Sequence, residues 1–194
     1  MIANIFRQKI ARVFSSSKNT ELDIYQKAYY NCLKASRRVE FYTKFEVADT
    51  FDGRFDMLCL IISIYMQKLS KDNNKTKHFS QNLFDAMFRD IDLTLREMGA
   101  GDLGVGKRVK VMSESFMGRL SQYSRSVENE DASSLADTLS RNLYRQGGKV
   151  NEDSEITKFV FKYHSQISGL ETDYLISEKF NMNNFLSSLL SSNE

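Results

Sequence analysis

The sequence contains no proline and no tryptophan, and only 9 of its 194 residues are glycine. Proline and glycine are the residues that most often interrupt helices, so their scarcity favours long helices joined by short polar turns. No segment alternates apolar and polar residues for long enough to indicate a strand. We therefore predict an all-α, single-domain helical bundle of seven or eight helices.

Cysteine and histidine are also scarce, with two of each. Neither Cys32 and Cys59 nor His78 and His164 show the paired spacing of a zinc site, so we expect no metal centre. We expect the two cysteines to be buried thiols in a reducing compartment. No pairing of a nucleophile with a base and no carboxylate dyad is visible, so the sequence predicts neither an enzyme nor a cofactor.

The chain lacks both a strong net charge and a long apolar run. Its 27 basic and 25 acidic residues leave a net charge of +2, which predicts no DNA partner and restricts any basic contact to a local patch. The longest apolar run, "MLCLIISIYM" at 57–66, is about half as long as the roughly 20 residues that cross a bilayer. We expect it to form a buried core helix, with Asp49 or Thr50 as its N-cap.

The patterning divides the chain into three parts. Residues 1–20 are basic and amphipathic, with apolar residues at helical spacing and no acid before Glu21. Three interpretations are compatible with this pattern. The segment is a first helix packed on the domain, a helix that contacts an anionic membrane through residues 1–14, or a targeting presequence. We expect residues 21–170 to form the helical domain and residues 171–194 a C-terminal helical extension.

The segment from Gln81 to Met98 has the clearest amphipathic pattern in the chain. Its apolar residues recur three or four positions apart, and Asp92 and Arg96 are spaced to form an i,i+4 ion pair on another face. Gly99 follows, and we predict that it ends the helix.

The stretch "GDLGVGKRVK" at 101–110 comes close to the phosphate-binding pattern G-x-x-x-x-G-K-[ST], but Arg108 replaces the hydroxyl residue. A phosphate loop follows a buried strand, whereas this stretch follows a helical pattern, so we reject a nucleotide site. We interpret it as a loop that starts a basic helix, with Lys107, Arg108 and Lys110 in the first helical turn. Cations there oppose the helix dipole, so they are either simply solvated or retained for an anionic partner.

Three stretches together resemble one known family. They read "VADTFDGRFDML" (47–58), "LFDAMFRDIDLTLREMGAGDLGVGKRVKVMSESFMGR" (83–119) and "LADTLSRNLYR" (135–145). They are similar to the ubiquinol-cytochrome c chaperone family, over about residues 23–146. The resemblance implies a helical, non-enzymatic protein without a cofactor. It also implies a partner, the newly made cytochrome b subunit of the bc complex, received near the ribosome.

The resemblance, together with the basic residues at the start of the helix predicted after Gly101, suggests which residues contact a partner. The candidates are Asp49, Arg54, Asp102, Lys107, Arg108, Lys110, Arg119, Arg141 and Asn142. Isolated charges are rarely buried, so Arg54, Arg119 and Arg141 have an alternative role inside the bundle. There they would pair with the aspartates of the segment 85–92.

Eight methionines, several beside aromatic residues, are compatible with adaptable binding of apolar helices, although filling gaps in the core is the alternative. The preferred function is an assembly chaperone for cytochrome b or another apolar membrane subunit. We expect it in the cytoplasm or on the cytoplasmic face of the inner membrane, with the mitochondrial matrix as the alternative. The alternative function is an RNA- or ribosome-binding helical module. Its basic patch would comprise Arg37, Arg38, Lys107, Arg108 and Lys110.

Overall fold

The described part of the chain, taken from a computed structural model, comprises residues 23–70, 74–99, 101–145 and 150–191. Within these ranges the protein has nine α-helices, one π-helical turn and no strand. The helices are α1 (Ile24–Ala35), α2 (Val39–Thr43), α3 (Phe51–Ser70), α4 (Asn74–Glu97), α5 (Asp102–Glu128), α6 (Ala132–Leu139), α7 (Glu155–Ser168), α8 (Thr172–Leu175) and α9 (Met182–Ser191), and the π turn is Ser140–Tyr144. The predicted all-α class is confirmed. The described residues contain slightly more helices than the predicted seven or eight, because α2 and α8 have only five and four residues and are too short to give a periodic pattern in the sequence. The helix predicted in residues 1–20 lies outside the described residues.

Helix α3 forms the centre of the bundle. It packs against α1, α4, α5, α7 and the π turn, and every residue from Met57 to Tyr65 is buried. Thr50 Oγ1 accepts a hydrogen bond from the Gly53 amide at 3.1 Å, which confirms Thr50 as the cap. The apolar run is therefore a core helix, as predicted, because its side chains are apolar all round.

Both cysteines lie in this core. Cys32 of α1 and Cys59 of α3 are fully buried free thiols. Burial raises the pKa of both, so the thiols stay protonated at neutral pH and are poor nucleophiles.

Buried tyrosine hydroxyls bond to backbone carbonyls of distant segments. Tyr65 Oη donates to the Leu175 carbonyl oxygen at 2.6 Å, and Tyr163 Oη donates to the Ile61 carbonyl oxygen at 3.0 Å. These bonds satisfy polar groups that burial would otherwise leave unpaired. They also fix the C-terminal segments against α3.

The last described helix completes the bundle beside the first one. Helix α9 packs against α1 and α7. It buries Met182, Leu186 and Leu189, the apolar stripe of a sequence that is otherwise rich in serine and asparagine.

Helices α4 and α5 are joined by a short turn. Gly99 has φ +83°, a left-handed conformation that glycine adopts without strain, and α4 ends two residues before it, as predicted. Arg96 Nε lies 2.6 Å from Asp92 Oδ2, so the predicted i,i+4 pair is confirmed.

The interpretation of residues 101–110 as a loop is wrong, because α5 begins at Asp102 and includes nearly the whole stretch. The basic residues at 107, 108 and 110 therefore lie in the second and third turns rather than the first. Val105 is completely buried and anchors this end of the helix. Such packing outweighs the low helix propensity of Gly104 and Gly106, about 1 kcal/mol each relative to alanine.

Candidate functional site

The three stretches that carry the family resemblance meet at one buried carboxylate. Asp56 of α3 has no exposed surface. Arg119 Nη2 of α5 lies 2.8 Å from Asp56 Oδ1, and Arg145 Nη2, directly after the π turn, lies 2.8 Å from Asp56 Oδ2. Each stretch thus supplies one member of an ion-pair cluster that joins α3, α5 and the π turn.

The electrostatics of this cluster reflect its burial. Burial raises the pKa of Asp56, and the guanidinium groups of Arg119 and Arg145 act against that increase. Arg145 also pairs with Asp52 at 2.9 Å, and its backbone has φ +51°, which is unfavourable for a residue with a side chain. The ion pairs therefore hold a strained turn in place, which indicates a positioning role for the cluster.

Two of the predicted partner-contact residues lie largely inside the protein. The Arg119 side chain is only 13% exposed. Asn142 is partly buried and lies beside Tyr123. Burial raises the pKa of Tyr123, and the nearby Asn142 amide lowers it by a smaller amount. Neither residue therefore presents a widely open surface to a partner.

Asp49 and Arg54 form an ion pair at the start of α3. Arg54 donates to both carboxylate oxygens, with Nη2 3.0 Å from Oδ2. The hydrogen bond from Arg54 lowers the pKa of Asp49. The Asp49 side chain is 55% exposed and the Arg54 side chain 20%, so this pair is partly exposed to solvent at the surface, unlike the buried Asp56 carboxylate.

The predicted pairing of Arg54, Arg119 and Arg141 with the aspartates of 85–92 is wrong. Among the described residues, Asp85 and Asp92 bond to side chains of their own helix, and Asp90 accepts a hydrogen bond from Tyr29 Oη at 2.8 Å. Helical periodicity gives the face on which a charge lies but not which helix packs against that face. The pairing partners therefore differ from those expected.

The basic residues of α5 form an accessible surface. Lys107, Arg108 and Lys110 are all exposed. Lys110 Nζ lies 3.9 Å from the Glu114 carboxylate, a loose and solvent-exposed pair. Arg141 is also exposed, on the π turn, with Nη2 3.4 Å from Thr138 Oγ1.

An apolar groove of about 510 Å³ opens where α3, α4 and α5 meet. Its apolar lining comes from Met66, Phe84, Met117 and Leu120, and Lys77 stands among the polar residues around them. Met117 is 52% exposed. The methionine pattern was visible in the sequence, but periodicity alone could not distinguish groove residues from core residues.

No metal-binding group stands out in the part of the chain that the structure describes. There, no three residues of the types His, Cys, Asp and Glu are grouped so that they could hold a metal ion. In the same described ranges, every helix is too short or too polar to cross a bilayer.

The fold and the groove together place the protein in a structural class, the all-α helical bundles, and show that it carries an open apolar groove beside a basic helix. Comparison with known sequences then assigns its family. The chain belongs to the ubiquinol-cytochrome C chaperone family, whose sequence pattern matches residues 43–184. This match extends well past residue 146, where the resemblance in the sequence motifs ended.

Two relatives support the assignment. The crystal structure of the Cbp3 homolog from Brucella abortus superimposes with a TM-score of 0.71 and 29% identity, covering 91% of this chain and 93% of that chain. Mouse (Mus musculus) ubiquinol-cytochrome c reductase complex assembly factor 1 is 21% identical over 144 residues, which are 74% of this chain and 48% of the mouse protein. The chain thus spans about half the length of this curated relative.

Proposed function

We propose that this protein is an assembly chaperone for ubiquinol-cytochrome c reductase and that its client is the newly made cytochrome b subunit. The observation that carries the proposal is the family match over residues 43–184. The mouse relative is named as an assembly factor of the same complex, and the family resemblance implies cytochrome b as the client. Another apolar membrane subunit is the alternative client.

The groove supports a binding function. A chaperone must cover apolar client surface reversibly, and burial of such surface is worth about 25 cal/mol per Å². Met66 and Met117 have flexible thioether side chains, which adapt to different apolar shapes. No bond has to be made or broken, so the proposal requires neither an enzyme active site nor a cofactor.

We assign different roles to the predicted partner-contact residues. The exposed cations Lys107, Arg108 and Lys110 form the main polar contact surface, on the helix that begins at Asp102. Asp49, Arg54 and Arg141 would form peripheral contacts. Arg119 and Asn142 act indirectly, because they hold the helices that carry this surface.

The proposed location is the cytoplasm or the cytoplasmic face of the inner membrane, with the mitochondrial matrix as the alternative. Ribosome contact during client synthesis and membrane contact through residues 1–14 belong to the same proposal. Residues 1–14 lie outside the described residues.

The direct test is recovery of the client. A tagged copy of the full chain, purified after mild crosslinking, should recover cytochrome b, and deletion of the gene should lower the amount of assembled bc complex. The proposal fails if the tagged protein never recovers cytochrome b and the deletion leaves bc complex levels unchanged.

The alternative, an RNA- or ribosome-binding module, needs its five cations on one surface. The five cations come from two separate elements of the fold, because Arg37 and Arg38 follow α1 whereas Lys107, Arg108 and Lys110 lie on α5. Arg38 Nη2 also pairs with Glu40 at 2.8 Å. Phosphate contacts would make RNA binding fall steeply with salt, so binding that is insensitive to salt would exclude this alternative.

A further inference from the structure

We propose that the groove between α3, α4 and α5 binds one α-helical segment of the client, whose apolar face carries a neighbouring carboxylate held by Lys77. This inference rests on the proposed function and specifies which part of the client is recognised and where. Its elements are an aromatic floor, flexible methionine side chains and Lys77 in the lining.

The floor of the groove is firmly supported. The Phe84 ring lies 4.6 Å from the Phe88 ring and 5.7 Å from the Phe116 ring, measured between centroids. Phe116 is completely buried. A floor held by this aromatic cluster keeps its shape when empty, which reduces the entropy cost of binding.

The shape of the groove suits a helix. Its lining spans residues 77–84 of α4 and 117–124 of α5, about two turns of each helix, and side chains of a third helix fit between the ridges of two such neighbours. Apolar helices bound in grooves are recognised through anchors spaced three or four residues apart. A membrane subunit supplies many such segments, because each of its spans has about 20 predominantly apolar residues.

The charges along the groove favour an acidic neighbour on that segment. Among the described residues that line the groove, Lys77 is the only charged one. Lys110 precedes Met117 by seven residues, about two helical turns, so it lies on the same face of α5 beyond the other end of the groove. Asp85 and Glu128 hydrogen-bond to lining glutamines but do not themselves line the groove.

A glycine beside the rim leaves room for close approach. Gly118 follows Met117 within α5, and a Cβ atom added there would meet no atom within 4 Å. Glycine inside a helix lowers helix stability, and no internal neighbour explains it here. A second helix that packs beside Met117 would make use of this space.

The first experiment measures binding of two peptides to the full chain by fluorescence anisotropy. Each peptide is an amphipathic helix of about 20 residues, with Leu and Ala on one face and a single Glu, or Gln in the matched peptide, at the edge of that face. The wild-type protein should bind the Glu peptide about 2- to 5-fold more tightly, the range expected for a partly exposed ion pair. Lys77→Gln should abolish this preference, whereas Lys158→Gln, an exposed lysine on α7, should retain it.

Two exposed apolar residues of α5 supply the matched test of the groove itself. Met117→Glu should weaken binding of both peptides by about tenfold, because it places an unpaired charge beside the apolar floor. Val111→Glu changes a residue of similar exposure on another face of α5 and should leave both affinities unchanged. Equal binding of the two peptides by the wild-type protein, or equal effects of the two variants, would overturn the proposal.

A crosslinking experiment in cells separates this inference from the proposed function. A photoreactive amino acid at Met117 should form an adduct with cytochrome b, whereas the same group at exposed Tyr174 should not. If the tagged wild-type protein recovers cytochrome b but the Met117 position forms no adduct, the groove assignment is wrong and the chaperone function stands. If cytochrome b is never recovered while the peptide preference persists, the chaperone function is wrong and the groove assignment stands.

Discussion

Arg119 Nη2 lies 2.8 Å from Asp56 Oδ1, although 63 residues of sequence separate the two side chains. Arg145 approaches the other carboxylate oxygen from 89 residues away. Because Asp56 lies on α3 and Arg119 on α5, this pair fixes two of the three helices that form the apolar groove. The cluster therefore links the stability of the bundle to the geometry of the proposed binding site.

Replacing Arg119 should destabilise the fold. In Arg119→Leu the buried Asp56 carboxylate loses one of its two guanidinium partners. We expect the free energy of unfolding to fall by about 2 kcal/mol, which is a typical contribution of a hydrogen bond to a charged group. Urea unfolding followed by circular dichroism measures this change.

The matched control is Arg54→Leu, which removes the surface pair with Asp49. Surface pairs contribute about 0 to 1 kcal/mol, so the control should lose clearly less stability than Arg119→Leu. Similar losses in the two variants would mean that the Asp56 cluster contributes no more than a surface pair.

Stability should depend on pH through Asp56. Burial raises the pKa of this carboxyl in the folded protein, so the folded state binds a proton at a higher pH than the unfolded state does. The resulting stabilisation is fully present below the ordinary pKa of about 3.9 and is lost as the pH rises through the folded-state pKa. The free energy of unfolding of the wild-type protein minus that of Asp56→Asn should therefore decrease as the pH rises from about 3.9 through the folded-state pKa of Asp56. Urea titrations of both proteins at several pH values measure it, and parallel pH profiles would contradict the expectation.

Two glycines of the family motifs should respond oppositely to alanine. A Cβ at Gly53 would clash with the carbonyl oxygen of Ala48, so Gly53→Ala should cost about 1 to 3 kcal/mol. A Cβ at Gly118 meets nothing within 4 Å, so Gly118→Ala should stabilise the helix by about 0.5 to 1 kcal/mol. Thermal unfolding distinguishes the two, and a melting temperature that falls in Gly118→Ala would disprove the second expectation.

Reversing the charge of the α5 cations should affect binding without affecting folding. Because Lys107 and Arg108 are exposed, a protein that carries Lys107→Glu and Arg108→Glu should melt at nearly the same temperature as the wild type. Recovery of cytochrome b should fall by at least about twofold, because two exposed ion pairs with the client would be lost. The control is Lys158→Glu, which should leave recovery unchanged. Collapse of the fold in the double variant would show that the two cations are structural.

Sequence reasoning succeeded where the signal was local and repetitive. The apolar run of α3, the amphipathic stripe of α4 and the stop at Gly99 all follow from residue periodicity and backbone preference. It failed at residues 101–110, because the glycines there suggested a loop whereas burial of Val105 held the segment in a helix. Local propensity is a weak guide wherever a buried contact opposes it.

The sequence by itself determined the all-α class, the central buried helix and the family, because helical periodicity and motif residues are read along the chain. Only the tertiary structure decided that Asp56 pairs with Arg119 and Arg145 and that Met66, Phe84 and Met117 line one groove. Those relationships depend on how each helix is rotated and which neighbour it meets. The packing of the whole bundle sets both, and no spacing within a single segment records them.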